Sequence, residues 1–204
     1  MELVDAYGIE DPIIKRVSGR LKREVDRLVN LMEDILTLGK VQSNQLKARL
    51  KPVDLIELVL DITADVSEEV SDQRELNVRH QGKPVEVIGD YHMVRHALLN
   101  LVDNAFKYSK GQRSPELHIN YAENDYVIIQ IKDFGIGIPK KDQSRIFNDF
   151  YRSPNVGEIQ GTGLGMSITK EFLAINNYDL NLESEEGMGN TFSICIPKPE
   201  NKVS

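Results

Sequence analysis

"HALLNLVDNAFKYS", residues 96–109, decides how the rest of the chain is read. At the helical increment, Asn104 lies about 40° from Asn100, and Lys107 lies about 60° back from Asn104. The three form one polar stripe. Val94, Leu98, Leu101, Val102 and Ala105 fall on the opposite side. The segment is therefore an amphipathic helix with one face for a core. Its other face is rich in Asn, a mediocre helix former. Two amides and an ammonium in line can face solvent or a polar ligand, and the helix alone does not choose between them.

Short alternating runs surround this helix. "LNVRH" (76–80) and "VEVIGD" (85–90) precede it; "ELHINYA" (116–122) and "YVIIQIKD" (126–133) follow. "DLNLES" (179–184) and "TFSICIP" (191–197) close the chain. Further amphipathic helices are read at "VDLIELVLDITADVSEEVSD" (53–72) and "MSITKEFLAINN" (166–177). Strands of period two mixed with helices of period 3.6 predict an α+β fold, a two-layer α/β sandwich with about three helices on a sheet. Residues 151–160, "YRSPNVGEIQ", hold Pro and Gly with few apolar positions and read as a mobile loop.

Upstream, Asp11 to about Leu50 reads as one long helix opened by Pro12 and closed by Pro52. Val17, Leu21, Val25, Leu28, Met32, Ile35 and Leu38 recur at steps of four and three. Such a heptad-like seam must bury against other helices. "MELVDAYG" before it reads as the tail of another helix ending at Gly8. The expected organisation is residues 1–51 as part of a helical hairpin completed by a second copy of the chain, then residues 52–204 as the sandwich.

The bulk properties narrow the function. The 204 residues carry 25 Lys and Arg against 32 Asp and Glu, a net charge of −7. A nucleic-acid binder needs a basic face, so that class is disfavoured, while a nucleotide site needs only local cations. The single cysteine, Cys195, excludes an internal disulfide and a cysteine zinc cluster. His80, His92, His96 and His118 show no metal-ligand spacing. No apolar run reaches the roughly 18 residues of a membrane span. A chain without membrane contact in a reducing, cytoplasmic compartment is expected.

The chemistry sits in two glycine tracts. "DFGIGIP" (133–139) directly follows a strand, and "GTGLGMSITKEF" (161–172) opens a helix, where backbone N–H groups can meet phosphate oxygens. Neither has the spacing of a P-loop or a dinucleotide fingerprint. Taken singly, each reads better as a turn or a helix cap than as a phosphate site.

In order, however, Asn-x3-Asn-x2-Lys-Tyr (100–108), Asp-x-Gly-x-Gly (133–137), Phe-x2-Phe-Tyr-Arg (147–152) and Gly-x-Gly-x-Gly (161–165) resemble the N, G1, F and G2 boxes of sensor histidine kinases. "EEGMGNTFSICIP" (185–197) looks like that family's last strand pair. The resemblance covers roughly residues 12–198. It implies a Bergerat-type ATP-binding fold, and ATP with Mg²⁺ as ligands. Position by position it implies that Asn104, assisted by Asn100, ligates Mg²⁺, for which an amide oxygen is a suitably hard donor. Lys107 would neutralise phosphate and Tyr108 would lie against adenine. Asp133 would accept from the adenine amino group, with Thr191 in support. Gly135, Gly137 and Ile138 would line the base. Arg152 would reach the γ-phosphate. Gly161, Thr162, Gly163, Leu164 and Gly165 would form the hinge and phosphate-facing end of a lid anchored by Phe147 and Phe150.

The related ATPases DNA gyrase B, Hsp90 and MutL place a Glu four residues before the Mg²⁺-binding Asn, as general base. Here that position is Asn100, which cannot take up a proton, so the resemblance favours transfer to another acceptor over hydrolysis. A binding module that regulates a partner without catalysis is the alternative. Histidine kinases carry their acceptor in a His-Glu-x-x-x-Pro motif, and none of the four histidines has that context. The expectation is a chain that starts one or two dozen residues downstream of the motif; the alternative is a protein without an acceptor, acting in trans. The partners implied are ATP, a second copy of the chain and a response-regulator receiver domain, with anchoring of a parent protein at the inner membrane left open by the sequence.

Overall fold

The computed structural model describes residues 12–43, 45–69, 74–123, 125–157 and 159–199. It divides into two compact units between Gln45 and Leu46. The expectation for "MELVDAYG" lies outside the described residues.

The first unit contains helix α1, Pro12–Gln42. The helix stops at Gln42 rather than near Leu50. The last i→i−4 bond runs from the Ser43 amide to the Gly39 carbonyl at 3.1 Å, and the ladder then breaks, the Gln45 amide reaching back five residues to the Lys40 carbonyl at 3.0 Å. Residues 45–50 are irregular. Of the seam, Val17, Leu21, Val25, Leu28, Met32 and Ile35 are exposed in the single chain, and Leu38 is half-buried.

The second unit begins with strand β1 (Lys51–Val53) and helix α2 (Leu55–Glu69). Pro52 is a strand residue here, in a two-stranded sheet where a missing N–H costs little. Asp54 caps α2, its Oδ1 accepting from the amides of Ile56 (2.8 Å) and Glu57 (3.2 Å). β2 (Asn77–Gln81), β3 (Val87–Gly89) and helix α3 (Tyr91–Tyr108) follow. Next come β4 (Glu116–Asn120), β5 (Tyr126–Asp133), helix α4 (Gly165–Ile175), β6 (Asp179–Glu185) and β7 (Gly189–Pro197).

β1 pairs antiparallel with β3. The main sheet runs β2-β4-β5-β7-β6, parallel between β2 and β4 and antiparallel elsewhere. One face carries the core: Leu117, Ile119, Val127, Ile129, Ile131, Phe192, Ile194 and Ile196 pack with Leu58, Ile62, Leu98 and Leu101 of the helices. The other face is polar, as an antiparallel sheet covered on one side should be. The predicted sandwich is therefore the observed fold, and the predicted apolar stripe of α3 is buried.

Asp90 fixes the first turn of α3. Asp90 Oδ1 accepts from the amides of His92 (3.1 Å) and Met93 (3.2 Å), while Oδ2 accepts from the amide of Arg49 (2.7 Å). Its own N–H donates to Asn176 Oδ1 at 2.6 Å, just past the end of α4. Burial pushes the Asp90 carboxyl up, but the amides of Arg49, Met93 and His92 outweigh it and hold the pKa below the ordinary value. A carboxyl lowered on folding contributes stability above its unfolded pKa and loses it as pH falls through the folded one. Asp90→Ala should therefore cost about 1–2 kcal/mol in urea unfolding at neutral pH. The gap to the unmodified chain should narrow when the measurement is repeated at about pH 3.

Candidate functional site

The Asn stripe does not face open solvent. Asn100 Nδ2 donates to Thr169 Oγ1 on α4 at 2.8 Å. Asn104 Nδ2 lies 3.5 Å from Asn100 Oδ1 and 3.5 Å from the Met166 sulfur. A Cβ on Gly165 would strike the Asn100 amide, so glycine is what lets α4 begin against α3. Asn100 is thus spent largely on holding α4. Asn104 has its amide nitrogen turned to the same neighbours, and its oxygen is the donor suited to a hard cation.

The first turn of α4 has no side-chain cap: its N-cap residue is the buried Leu164, which supplies none. The terminal amides of an 11-residue helix therefore open next to Asn100 and Asn104. Leading into this turn, the Leu164 amide donates to Thr162 Oγ1 at 3.2 Å. Gly163, at φ 77°, lies against the backbone of Phe150. Lys107 Nζ is 3.0 Å from where a Gly161 Cβ would stand and 5.1 Å from the Tyr108 ring centre. Tyr108 is half-buried, and burial raises its hydroxyl pKa while the Arg152 charge works the other way. The Arg152 guanidinium donates to the Ile159 carbonyl within its own loop.

Asp133 ends β5 on the core face, 3% exposed. Its Oδ1 accepts from the Gly135 amide (2.9 Å) and its Oδ2 from Asn190 Nδ2 (2.8 Å). Burial pushes its carboxyl above the ordinary value, and the bonds from Asn190 and Gly135 only partly offset this. The Asn190 backbone amide is a third donor to this carboxylate, which leaves one of its roughly four acceptor positions for a ligand.

The glycines beside Asp133 have a structural reason that the sequence reading did not give. A Cβ on Gly135 would collide with the Tyr108 carbonyl. One on Gly137, at φ 61°, would collide with the Glu185 carbonyl. The Ile136 amide donates to the Tyr108 carbonyl (3.2 Å), and the Gly187 amide donates to the Ile136 carbonyl (2.8 Å). The Ile138 amide donates to Ser184 Oγ at 2.8 Å. This tract is wedged between the end of α3 and the β6–β7 hairpin, so protein backbone requires the close approach.

Three expectations are corrected. Thr191 pairs with Lys132 on the polar face of the sheet, whereas Asp133 pairs with Asn190 on the core face. Strand alternation therefore separates Thr191 from Asp133, and Asn190 takes its place. Phe150 is 60% exposed, at φ 60°, and does not anchor the loop by packing; Phe147 does pack against the core. The loop "YRSPNVGEIQ" is tethered over its first residues, with Ser153 only 5% exposed and a 3₁₀ turn at Pro154–Val156.

Asn190, Asp142 and Asp90 went unremarked in the sequence. Asn190 was readable: it shares the parity of Phe192 and Ile194, as Asp133 shares that of Ile129 and Ile131. Asp142, 1% exposed, accepts from the hydroxyls of Tyr151 and Ser153, both at 2.7 Å. His96 is exposed on α3, its ring edge-on to Phe172. Among the described residues no three His, Cys, Asp or Glu side chains could hold a metal ion, and no helix is long and apolar enough to cross a membrane.

Residues 89–200 match the family described as histidine kinase-, DNA gyrase B-, and HSP90-like ATPase. The chain is 31% identical to the sensor histidine kinase RcsC of Escherichia coli K12, over 94% of this chain and 22% of that protein. It is 35% identical to the drug sensory protein A of Synechocystis, over 83% of this chain and 27% of that protein. It spans about a quarter of the length of these relatives. The fold is shared with the Acinetobacter baumannii histidine kinase AdeS at a TM-score of 0.72 and 23% identity, covering 97% of this chain and 90% of that one. The chain therefore belongs to the histidine kinase-, DNA gyrase B- and HSP90-like ATPase family, and residues 89–200 are its ATP-binding domain.

Proposed function

We propose that this chain is the ATP-binding catalytic region of a sensor histidine kinase, transferring the γ-phosphate of ATP to a histidine for relay to a response-regulator aspartate. The observation that carries the reading is the abutment of the Asn stripe on the uncapped first turn of α4, with Lys107 and Tyr108 beside Gly161. Amide donors for an anion and amide oxygens for a cation meet there. The similarity to sensor histidine kinases supports the choice within the family.

In this reading Asn104 holds Mg²⁺, with Asn100 fixing its side chain. A site with one or two neutral protein oxygens suits an ion that shares its shell with substrate phosphates. When bound, Mg²⁺ supplies charge neutralisation on the phosphate oxygens. Lys107 and Arg152 add positive charge, the α4 amides orient the phosphates, and Tyr108 and Ile138 flank the base. Asp133, backed by Asn190, accepts from the adenine amino group. Asn100 in place of a general base keeps hydrolysis slow. Helix α1 contributes part of a helical hairpin whose seam pairs with a second copy, and the protein acts in the cytoplasm.

Titration calorimetry with Mg²⁺ and a non-hydrolysable ATP analogue tests the site. Asn104→Ala and Asp133→Asn should each weaken binding by about tenfold or more, and Asn190→Ala should weaken it less. Thr191→Val should leave it unchanged. Undiminished binding by Asn104→Ala and Asp133→Asn together would end the reading.

The raised pKa of Asp133 adds a pH dependence. Its ionised form accepts from the base, so affinity should fall as pH drops, beginning above the range of an ordinary carboxylate. Asp133→Asn should flatten that part of the profile. For the seam, sedimentation equilibrium should find a dimer that Leu21→Glu with Leu28→Glu converts to monomer.

A further inference from the structure

Arg152 lies between two residues that are both tied to one buried carboxylate. Asp142 Oδ1 accepts from the Tyr151 hydroxyl and Oδ2 from the Ser153 hydroxyl, each at 2.7 Å. The carboxylate is itself fixed to the body of the unit. The Asp142 amide donates to the Pro139 carbonyl at 2.8 Å, and its carbonyl accepts from the amides of Arg145 (2.9 Å) and Ile146 (3.0 Å), Ile146 being part of the core. The donations from Ser153 and Tyr151 hold the Asp142 carboxyl below the ordinary range. At neutral pH it is therefore acceptor-only, and both hydroxyls must point at it. Two residues further on, Asn155 Nδ2 donates to the Gly137 carbonyl at 3.0 Å. The loop is thus stitched down at 151, 153 and 155, alternate positions that leave out Arg152.

Ser153, at φ −65° and ψ 138°, has polyproline II backbone. While Tyr151 and Ser153 bond Asp142, Arg152 between them stays exposed, its guanidinium donating to the Ile159 carbonyl and its charge acting on the Tyr108 hydroxyl of the site. We propose that Asp142 is a positioning residue that aims Arg152 at the terminal phosphate of the bound nucleotide. This rests on the reading above that Arg152 meets that phosphate. The loop from Tyr151 to Asn155 is a fixed mount, and any motion of the glycine tract takes place beyond it.

The test compares affinities for the Mg²⁺ complexes of a non-hydrolysable ATP analogue and of ADP, measured on the whole chain by calorimetry. The ratio of the two reports the contact with the terminal phosphate. Arg152→Ala should lower the ratio by about tenfold. Asp142→Ala should lower it by a similar factor with ADP affinity kept, and the double variant should go no lower. A structural role alone would weaken both nucleotides equally and leave the ratio where it was. That outcome for Asp142→Ala, with the ratio lowered in Arg152→Ala, overturns this inference and leaves the proposed function standing. An unchanged ratio in Arg152→Ala overturns the assignment of Arg152 itself, and this inference with it. Should Asp142→Ala fail to fold, Tyr151→Phe combined with Ser153→Ala removes both donors and is judged by the same ratio.

Discussion

The site depends on where helix α3 is held. Asp90 fixes its first turn through two helix amides, the Arg49 amide and a bond to Asn176. Its last turn is fixed by the Tyr108 carbonyl, which accepts from Ile136 and sits where a Cβ on Gly135 would have to go. A helix clamped at both ends cannot slide or rotate without breaking a buried polar bond, and leaving such a group unpaired costs about 1–3 kcal/mol. Asn100, Asn104, Lys107 and Tyr108 are therefore placed by backbone contacts at the helix termini as much as by the apolar face between them.

The same clamp ties the two glycine tracts to one reference. The first is wedged between the end of α3 and the β6–β7 hairpin. The second delivers α4 onto Asn100, where Gly165 leaves no side chain in the way. The two tracts that the proposed function assigns to the base and to the phosphates thus take their positions from one helix. This accounts for a site whose pieces are scattered over residues 100–190 of the chain and yet have a defined geometry.

Much of this was legible in the sequence, for identifiable reasons. The period of 3.6 in α3 and the period of 2 in β5 and β7 are imposed by burial, so the sandwich could be read from them. What escaped were features that depend on pairing between distant segments. Thr191 and Asn190 are adjacent in sequence; strand parity puts Asn190 on the core face, but only the register Asp133↔Asn190 sets it opposite the carboxylate. Phe150 looks like an apolar anchor, but its left-handed backbone leaves the ring in solvent. The end of α1 at Gln42 is marked by the Gln45 amide reaching back to the Lys40 carbonyl, a local backbone bond that periodicity does not register. The loop at 151–155 has a polar, Pro-containing composition, and composition cannot show that its hydroxyls share one buried acceptor.

Within the proposed function, neutral amides at positions 100 and 104 have an electrostatic logic. The chain carries a net charge of −7, so a further carboxylate beside a triphosphate would add repulsion that local cations must offset. Asn100 and Asn104 present oxygen to a cation without adding negative charge. Their amide nitrogens donate to Thr169 and Asn100 and approach the Met166 sulfur, which a carboxylate in the same place could not do. A Glu at position 100 could not donate to Thr169 as Asn100 does, and the pair would hold only with the Thr169 hydroxyl turned to donate instead. The packing of α4 on α3 in this chain is thus built around an amide, and exchanging it for a proton-accepting side chain would change the join between the helices as well as the chemistry. Within the proposed function, suppressed hydrolysis and the fixed seat of α4 follow from the same side chain.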